Sequence, residues 1–245
     1  MQSTVSHQGL MAYIGMMKAY FFDLDGTLTD SRAGLYPAFR KGLEAIGVPP
    51  VSDDQLRLFL GTPLPQMFRA MRPDVEQHDI DAGMAAFRAI YEKTGIEANE
   101  LYPGIISLLN SIRRRKAKIW VVTSKPEPQA KKVVQHLNLD SYVESVIGAG
   151  LAETDTKTDL ITRALSAACV RPDQAVMVGD RSYDVVGALA TGVLPIGALW
   201  GYGTEEELKA AGCLHFANSP NAFRKTYVEA DSGLFIQQAL VATRY

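Results

Sequence analysis

Two aspartates stand two apart in this chain, Asp23 and Asp25, directly behind the apolar run Tyr20-Phe21-Phe22. On an extended backbone such residues leave the same face. Buried carboxylates converging at a strand end are costly unless a cation neutralises them. A hard divalent ion such as Mg²⁺, which takes one or two carboxylates plus a substrate phosphate, suits that arrangement. A second acidic pair, Asp180 and Asp184, follows the apolar run Val176-Met177-Val178 and Gly179. Four apart, the two share a helix face and can address one ion; Asp184 equally suits the first turn of a helix, where the dipole favours an acid. Thr123 and Ser124 close a third apolar run. There a hydroxyl and free backbone N–H groups can hold a phosphoryl oxygen, or either residue can cap the helix behind Pro126. Lys157 offers the kind of ammonium that offsets charge in phosphoryl transfer, although most lysines are simply solvated.

Those residues need elements to position them. From Tyr102-Pro103-Gly104 onward, helices alternate with short apolar runs. Helix 104–116 leads to Ile119–Val122, helix 126–137 to Tyr142–Ile147, helix 157–169 to Ala175–Val178, and helix 182–191 to Val193–Leu199. Continuous apolar strands separated by helices predict a parallel sheet covered on both faces. Ligands bind outside the carboxyl ends of such strands, where Asp23, Thr123 and Asp180 all fall. Between Ser31 and residue 100 the pattern is helical instead. Leu35, Phe39, Leu43 and Ile46 keep amphipathic spacing, Leu56–Leu60, Met67–Met71 and Ile80–Tyr91 continue it, and no strand is expected. Residues 32–101 therefore read as a helical cap inserted after the first acidic loop, with 18–31 and 102–245 as an α/β core.

The whole string Asp23-Leu24-Asp25-Gly26-Thr27-Leu28 resembles the first motif, DxDGTL, of the haloacid-dehalogenase-like hydrolase superfamily. The resemblance runs from about Lys18 to Gly212 with four motifs in order. Thr123 closes the second-motif strand, Lys157 opens the helix before the fourth-motif strand, and Gly179-Asp180 with Asp184 matches GDxxxD. Within the superfamily the chain is most similar to the helical-capped phosphoglycolate phosphatase-like branch, and in it to the bacterial 5′-nucleotidase-like subgroup. Phe59-Leu60-Gly61-Thr62-Pro63-Leu64, Leu101-Tyr102-Pro103-Gly104, Thr123-Ser124-Lys125-Pro126 and Leu199-Trp200-Gly201-Tyr202-Gly203 carry that likeness. Thr62 departs from it, standing where the subgroup often has the first proline of Pro-Pro-Leu, so leaving-group preference stays open.

The resemblance implies a doubly wound, mainly parallel Rossmann-like sheet and a phosphatase that forms an aspartyl-phosphate. It makes Asp23 the nucleophile and Asp25 the acid–base. It places Mg²⁺ on Asp23, Asp180 and the backbone carbonyl of Asp25, with Asp184 in support. Thr123, Ser124 and Lys157 would bind the phosphoryl group, Lys125 would line the mouth, and Gly61 and Thr62 would touch substrate from the cap. Arg57, Arg69 and Arg88 are further candidates to clamp an anionic leaving group. A halide-removing dehalogenase needs neither Asp25 nor Asp180. A phosphosugar mutase of the same superfamily would usually carry a cap histidine, and residues 32–60 contain none. A non-catalytic metabolite-binding relative would be expected to lose Asp23 or Asp25, and both are present.

The formal charge of −2 gives no reason to expect nucleic acid or an anionic membrane as partner, and a small phosphorylated metabolite is expected instead. A monomer or homodimer fits equally. Arg113-Arg114-Arg115-Lys116 reads as a solvated helix end. Cys169 and Cys213 are too few and too distant for a disulfide framework or metal motif, and with no clear signal sequence they point to the cytoplasm. Residues 1–17 read as a leader, either disordered or an overlong start, and neither 1–17 nor 213–245 carries a usable motif.

Overall fold

The computed structural model describes residues 17–229. The leader expectation therefore lies outside the described residues except at Met17, which is buried in the core.

Strand β1 (Ala19–Phe22) is buried along its whole length. Tyr20 and Phe22 enter one apolar cluster and Ala19 and Phe21 another, so its two faces serve two cores. Strands β4 (Lys118–Pro126) and β6 (Ala175–Gly179) divide in the same way. Ile119, Val121, Val176 and Val178 join the first cluster; Trp120, Val122, Ala175 and Met177 join the second. Strands apolar on both faces need helices on both sides. With β5 (Ser145–Ala149), β7 (Leu194–Ala198) and β8 (Phe216–Ala217) they form a six-stranded sheet in the order β5-β4-β1-β6-β7-β8. Every pairing in it is parallel. Phe22 lies opposite both Val121 and Val178, so the residues just past these three strands emerge at one edge.

The chain leaves that edge through β2 (Thr29–Asp30) and returns through β3 (Glu100–Leu101), which pair antiparallel as a two-stranded ribbon. The ribbon is the one strand pairing that touches the stretch expected to hold none. Between its arms lie α1 (Arg32–Ala45), α2 (Asp53–Arg57), α3 (Leu64–Met71) and α4 (Gln77–Ile90), followed by a single π turn, Tyr91–Gly95. Leu35, Phe39, Leu43 and Ile46 are buried, as their spacing predicts. Gly34 and Gly95 allow the π turn to press on α1: a Cβ on Gly34 would come within 2.3 Å of the Gly95 carbonyl oxygen.

Helices α5 (Ile105–Arg114), α6 (Glu127–His136), α7 (Lys157–Ala168) and α8 (Ser182–Thr191) cover the sheet, and α9 (Glu205–Ala210) and α10 (Pro220–Phe223) follow. Two strand boundaries differ from the sequence reading by three residues or more. Strand β5 begins three residues later than Tyr142, because Leu139, Tyr142 and Val143 are bound into a turn. Strand β4 continues past Val122 to Pro126, with its register against β5 shifting between Thr123 and Pro126. Such an irregularity re-aims side chains, commonly beside a site.

Of the stretch after Cys213, the described residues 214–229 contribute to the core. Phe223 sits 6.1 Å from Phe22 and 6.5 Å from Tyr20, ring centroid to centroid. The basic run is engaged as well as exposed: Arg113 stacks over Tyr142 at 5.5 Å, Arg114 pairs with Glu229 at 3.3 Å, and Arg115 donates to the Val228 carbonyl. No helix among the described residues is long and apolar enough to cross a membrane.

Candidate active site

Asp23, the first residue past β1, donates its backbone N–H to the Val178 carbonyl of β6 at 2.9 Å. Its Oδ1 accepts from the Leu24 N–H at 2.8 Å and lies 3.1 Å from Lys157 Nζ, which pins the carboxylate's rotation. Lys157 opens α7, whose N-terminus is fixed by a capping box between Thr156 and Asp159. Its ammonium also lies 2.8 Å from Asp184 Oδ1 and donates to the Val122 carbonyl at 3.1 Å, so two carboxylates and a carbonyl surround it. Burial alone would lower the Lys157 pKa, but Asp184 and Asp23 hold it above the ordinary lysine range.

Asp180, one residue past β6, is fully buried. Its Oδ1 accepts from Thr27 Oγ1 at 2.9 Å and its Oδ2 from the Tyr202 N–H at 2.8 Å. Two glycines make room for it: a Cβ on Gly26 would lie 2.3 Å from Asp180 Oδ2, and one on Gly201 would lie 2.4 Å from Asp180 Cβ. Gly26 also holds φ at 87°, in the left-handed region open to glycine. Asp184 fills the space left by Gly179, and its Oδ2 accepts from the Arg181 N–H at 3.1 Å. Asp184 thus accepts at the start of α8 with one oxygen and faces Lys157 with the other.

Carboxylate oxygens of Asp23, Asp180 and Asp184 lie within 4.8 Å of one another, all buried. Burial raises the pKa of Asp180 to about 8, with Asp184 and Asp23 adding to the rise. Burial likewise raises Asp23, partly offset by Lys157. Three buried acids against one ammonium, in a cradle that two glycines keep open, fit a hard divalent cation.

Asp25 points elsewhere. Its Oδ2 lies 2.8 Å from Lys125 Nζ, and Lys125 in turn sits over the Tyr91 ring, 4.4 Å from the centroid. Burial works against the Lys125 charge, but Asp25 and Tyr91 hold its pKa above the ordinary range. A cavity of about 60 Å³ opens over Asp23, Asp25, Thr123 and Ser124, closed from the helical side by Leu35, Phe39, Gly61, Thr62, Leu64 and Phe87. Thr123 is buried, with its Oγ1 accepting from the Lys125 N–H at 3.2 Å. Thr62 meets Tyr183 hydroxyl to hydroxyl at 3.3 Å, and Arg181 donates to the Leu60 carbonyl.

The structure brings Asp23, Asp25, Thr123, Ser124, Gly61 and Thr62 to one cavity, with Lys157, Asp180 and Asp184 grouped around Asp23. Arg57 and Arg69 are exposed and do not line it. Arg88 lies at the seam between the helical segment and the sheet, 3.4 Å from Glu153. Sequence reasoning missed Glu153, Gln129 and Tyr91, and gave Lys125 only the mouth. Glu153 lines the cavity, and its Oε2 accepts from the Leu64 N–H at 3.0 Å.

The profile of the haloacid dehalogenase-like hydrolase family matches residues 20–198. Among relatives, the tyrosine-protein kinase PtkA of Mycobacterium tuberculosis is 37% identical over 183 residues, 74% of this chain, while the chain spans only 62% of that protein's length. A 5′-nucleotidase of Pseudomonas aeruginosa is 33% identical over 205 residues, covering 83% of this chain and 92% of the relative. The crystal structure of a predicted phosphatase from Clostridium acetobutylicum superposes with a TM-score of 0.82 at 32% identity, over 87% of this chain and 99% of that one. With the four motif positions gathered at one sheet edge, the chain belongs to the haloacid dehalogenase-like hydrolase family.

Proposed function

We propose that the protein is a Mg²⁺-dependent phosphatase that hydrolyses small phosphomonoesters through an aspartyl-phosphate on Asp23. The observation that carries this reading is the pairing of two unlike aspartates at one strand end. Asp23 is pinned among Lys157 and the buried acids, whereas Asp25 is turned toward the cavity and Lys125. In this reading residues 18–31 and 102–245 are the hydrolase core and 32–101 the cap that closes over it.

Asp23 attacks phosphorus, and the bond to the leaving oxygen breaks with its electron pair as Asp25 supplies a proton. Asp25 then takes a proton from water, which attacks the aspartyl-phosphate and releases inorganic phosphate. Thr123, Ser124 and the cation Lys157 cradle the phosphoryl oxygens and hold Asp23 in line. Asp23, Asp180 and the backbone carbonyl of Asp25 would hold Mg²⁺, with Asp184 in support; when bound it neutralises charge on the phosphoryl group. Similarity to a 5′-nucleotidase supports a nucleoside 5′-monophosphate as one candidate substrate, and a panel of nucleoside 5′-monophosphates, phosphoglycolate and sugar phosphates decides between the candidates. Because one relative is named a kinase, ATP with a tyrosine acceptor belongs in the same panel.

Asp23→Asn keeps volume and removes the nucleophile, so turnover should fall by roughly 10³-fold or more with the melting curve intact. Release of phosphate at wild-type rates by that variant would rule out the covalent route.

A further inference from the structure

Lys125 has no role in the chemistry described so far, yet it is as buried as the residues that do, with 5% of its side chain exposed. Three elements converge on its ammonium. Asp25 comes from the end of β1, Lys125 from β4, and Tyr91 from the helical segment. Each is held in place. Tyr91 opens the π turn, a feature concentrated at functional sites. It stacks on Phe87 with 7° between ring planes, and its hydroxyl accepts from Asn99 Nδ2 at 3.1 Å. Gly95 lies so close to the ring that a Cβ there would be 2.4 Å from Tyr91 Cδ2. Lys125 itself lies in the stretch of β4 where the register shifts, between Thr123 and Pro126.

A buried ammonium is expensive unless it is paired, and here a carboxylate and a ring face share the task. The two oxygens of Asp25 are consequently unequal. Oδ2 is held by Lys125 at 2.8 Å, whereas Oδ1 is buried with no hydrogen-bond partner among the described residues.

We propose that Lys125 is a positioning residue: clamped between the Tyr91 ring and Asp25 Oδ2, it fixes the Asp25 carboxylate so that Oδ1 is the oxygen that exchanges the proton with the leaving group. Because Tyr91 belongs to the helical segment, seating that segment on the sheet sets the position of the acid. The proposal rests on the phosphatase reading. As Asp23 attacks phosphorus, the bond from phosphorus to the alcohol oxygen breaks with its electron pair, and the proton on Asp25 Oδ1 passes to that oxygen.

The leaving group provides a readout that a merely structural lysine would not move. kcat/KM reports the steps up to departure of the alcohol. A displaced acid therefore harms an alkyl phosphate, whose alkoxide needs the proton, far more than 4-nitrophenyl phosphate, whose phenolate does not. Lys125→Met should lower kcat/KM for glycerol phosphate by roughly 10²-fold and for the aryl ester by less than about threefold. Tyr91→Leu, which leaves Lys125 and Asp25 in place, should move the ratio in the same direction by a smaller factor, and it carries the test should Lys125→Met fail to fold. An unchanged alkyl-to-aryl ratio in folded variants of an active enzyme overturns the proposal. A wild-type protein that cleaves neither of these esters nor any phosphomonoester of the metabolite panel overturns the phosphatase reading itself, and the proposal with it.

Discussion

Asp180 is the residue on which the proposed metal site turns. Both of its oxygens already accept hydrogen bonds, from Thr27 and Tyr202, so its orientation is set before any cation arrives. It shares a pocket of buried acids in which, among the described residues, Lys157 is the one cation paired with them, and a cation bound there should stabilise the fold. At a hundred times the dissociation constant the gain is about 2.7 kcal/mol, or roughly 5–10 °C in Tm for a chain of this size. Asp180→Asn keeps the shape and removes the charge, so Mg²⁺ should no longer raise its Tm. An equal rise in both proteins, read by thermal melting without substrate, would move the cation elsewhere. The motif acids are visible in the sequence because strand, carboxylate and turn are neighbours along the chain. Lys125 is not: its partner Asp25 lies 100 positions away.

At the scale of elements, the informative place is the seam between the helical segment and the sheet. Arg181 and Tyr183 at the start of α8 hold the turn 60–62. Glu153 reaches across from the loop before α7 to the Leu64 N–H and toward Arg88, which also donates to the Leu151 carbonyl. Glu153 sits at φ 55°, a left-handed conformation that costs a non-glycine residue about 1–3 kcal/mol. Burial raises its pKa above the ordinary 4.5, against the opposing pull of the Leu64 N–H and Arg88. The folded chain therefore keeps this proton in a window where the unfolded chain has lost it. The associated stability is complete below the ordinary value and declines as pH rises through the raised one. Glu153→Gln removes that step. As pH rises from the ordinary carboxylate value through the raised one, Tm should fall less in the variant than in the wild type, since the other buried acids contribute equally to both. Parallel curves would mean that Glu153 carries no linked proton. Periodicity locates the helices and strands on either side of this seam, but not the bulge in β4 or the late start of β5. The first depends on how β4 pairs with β5, and the second on a turn whose hydrogen bonds the apolar pattern does not reveal.

Across the whole molecule, residues 214–229 close the sheet's aromatic face. Phe223 packs among Tyr20, Phe22 and Tyr227, and the Tyr20 hydroxyl donates to the Tyr227 carbonyl at 3.4 Å. Phe223→Ala should cost about 3–5 kcal/mol. A loss below about 1 kcal/mol in denaturant unfolding would make the segment peripheral to the core. The alternation of apolar runs with helices, the carboxylates at strand ends and the helical stretch after Ser31 follow from the order of residues alone, because each concerns neighbours a few positions apart. The strand order β5-β4-β1-β6-β7-β8 was decided only by tertiary structure. So were the grouping of Asp23, Asp180 and Asp184 around Lys157, the Tyr91–Lys125–Asp25 stack and the burial of Phe223. Each of these joins residues far apart in the chain, and what selects them is the space and charge that packing leaves to be filled, which no local pattern of residues encodes.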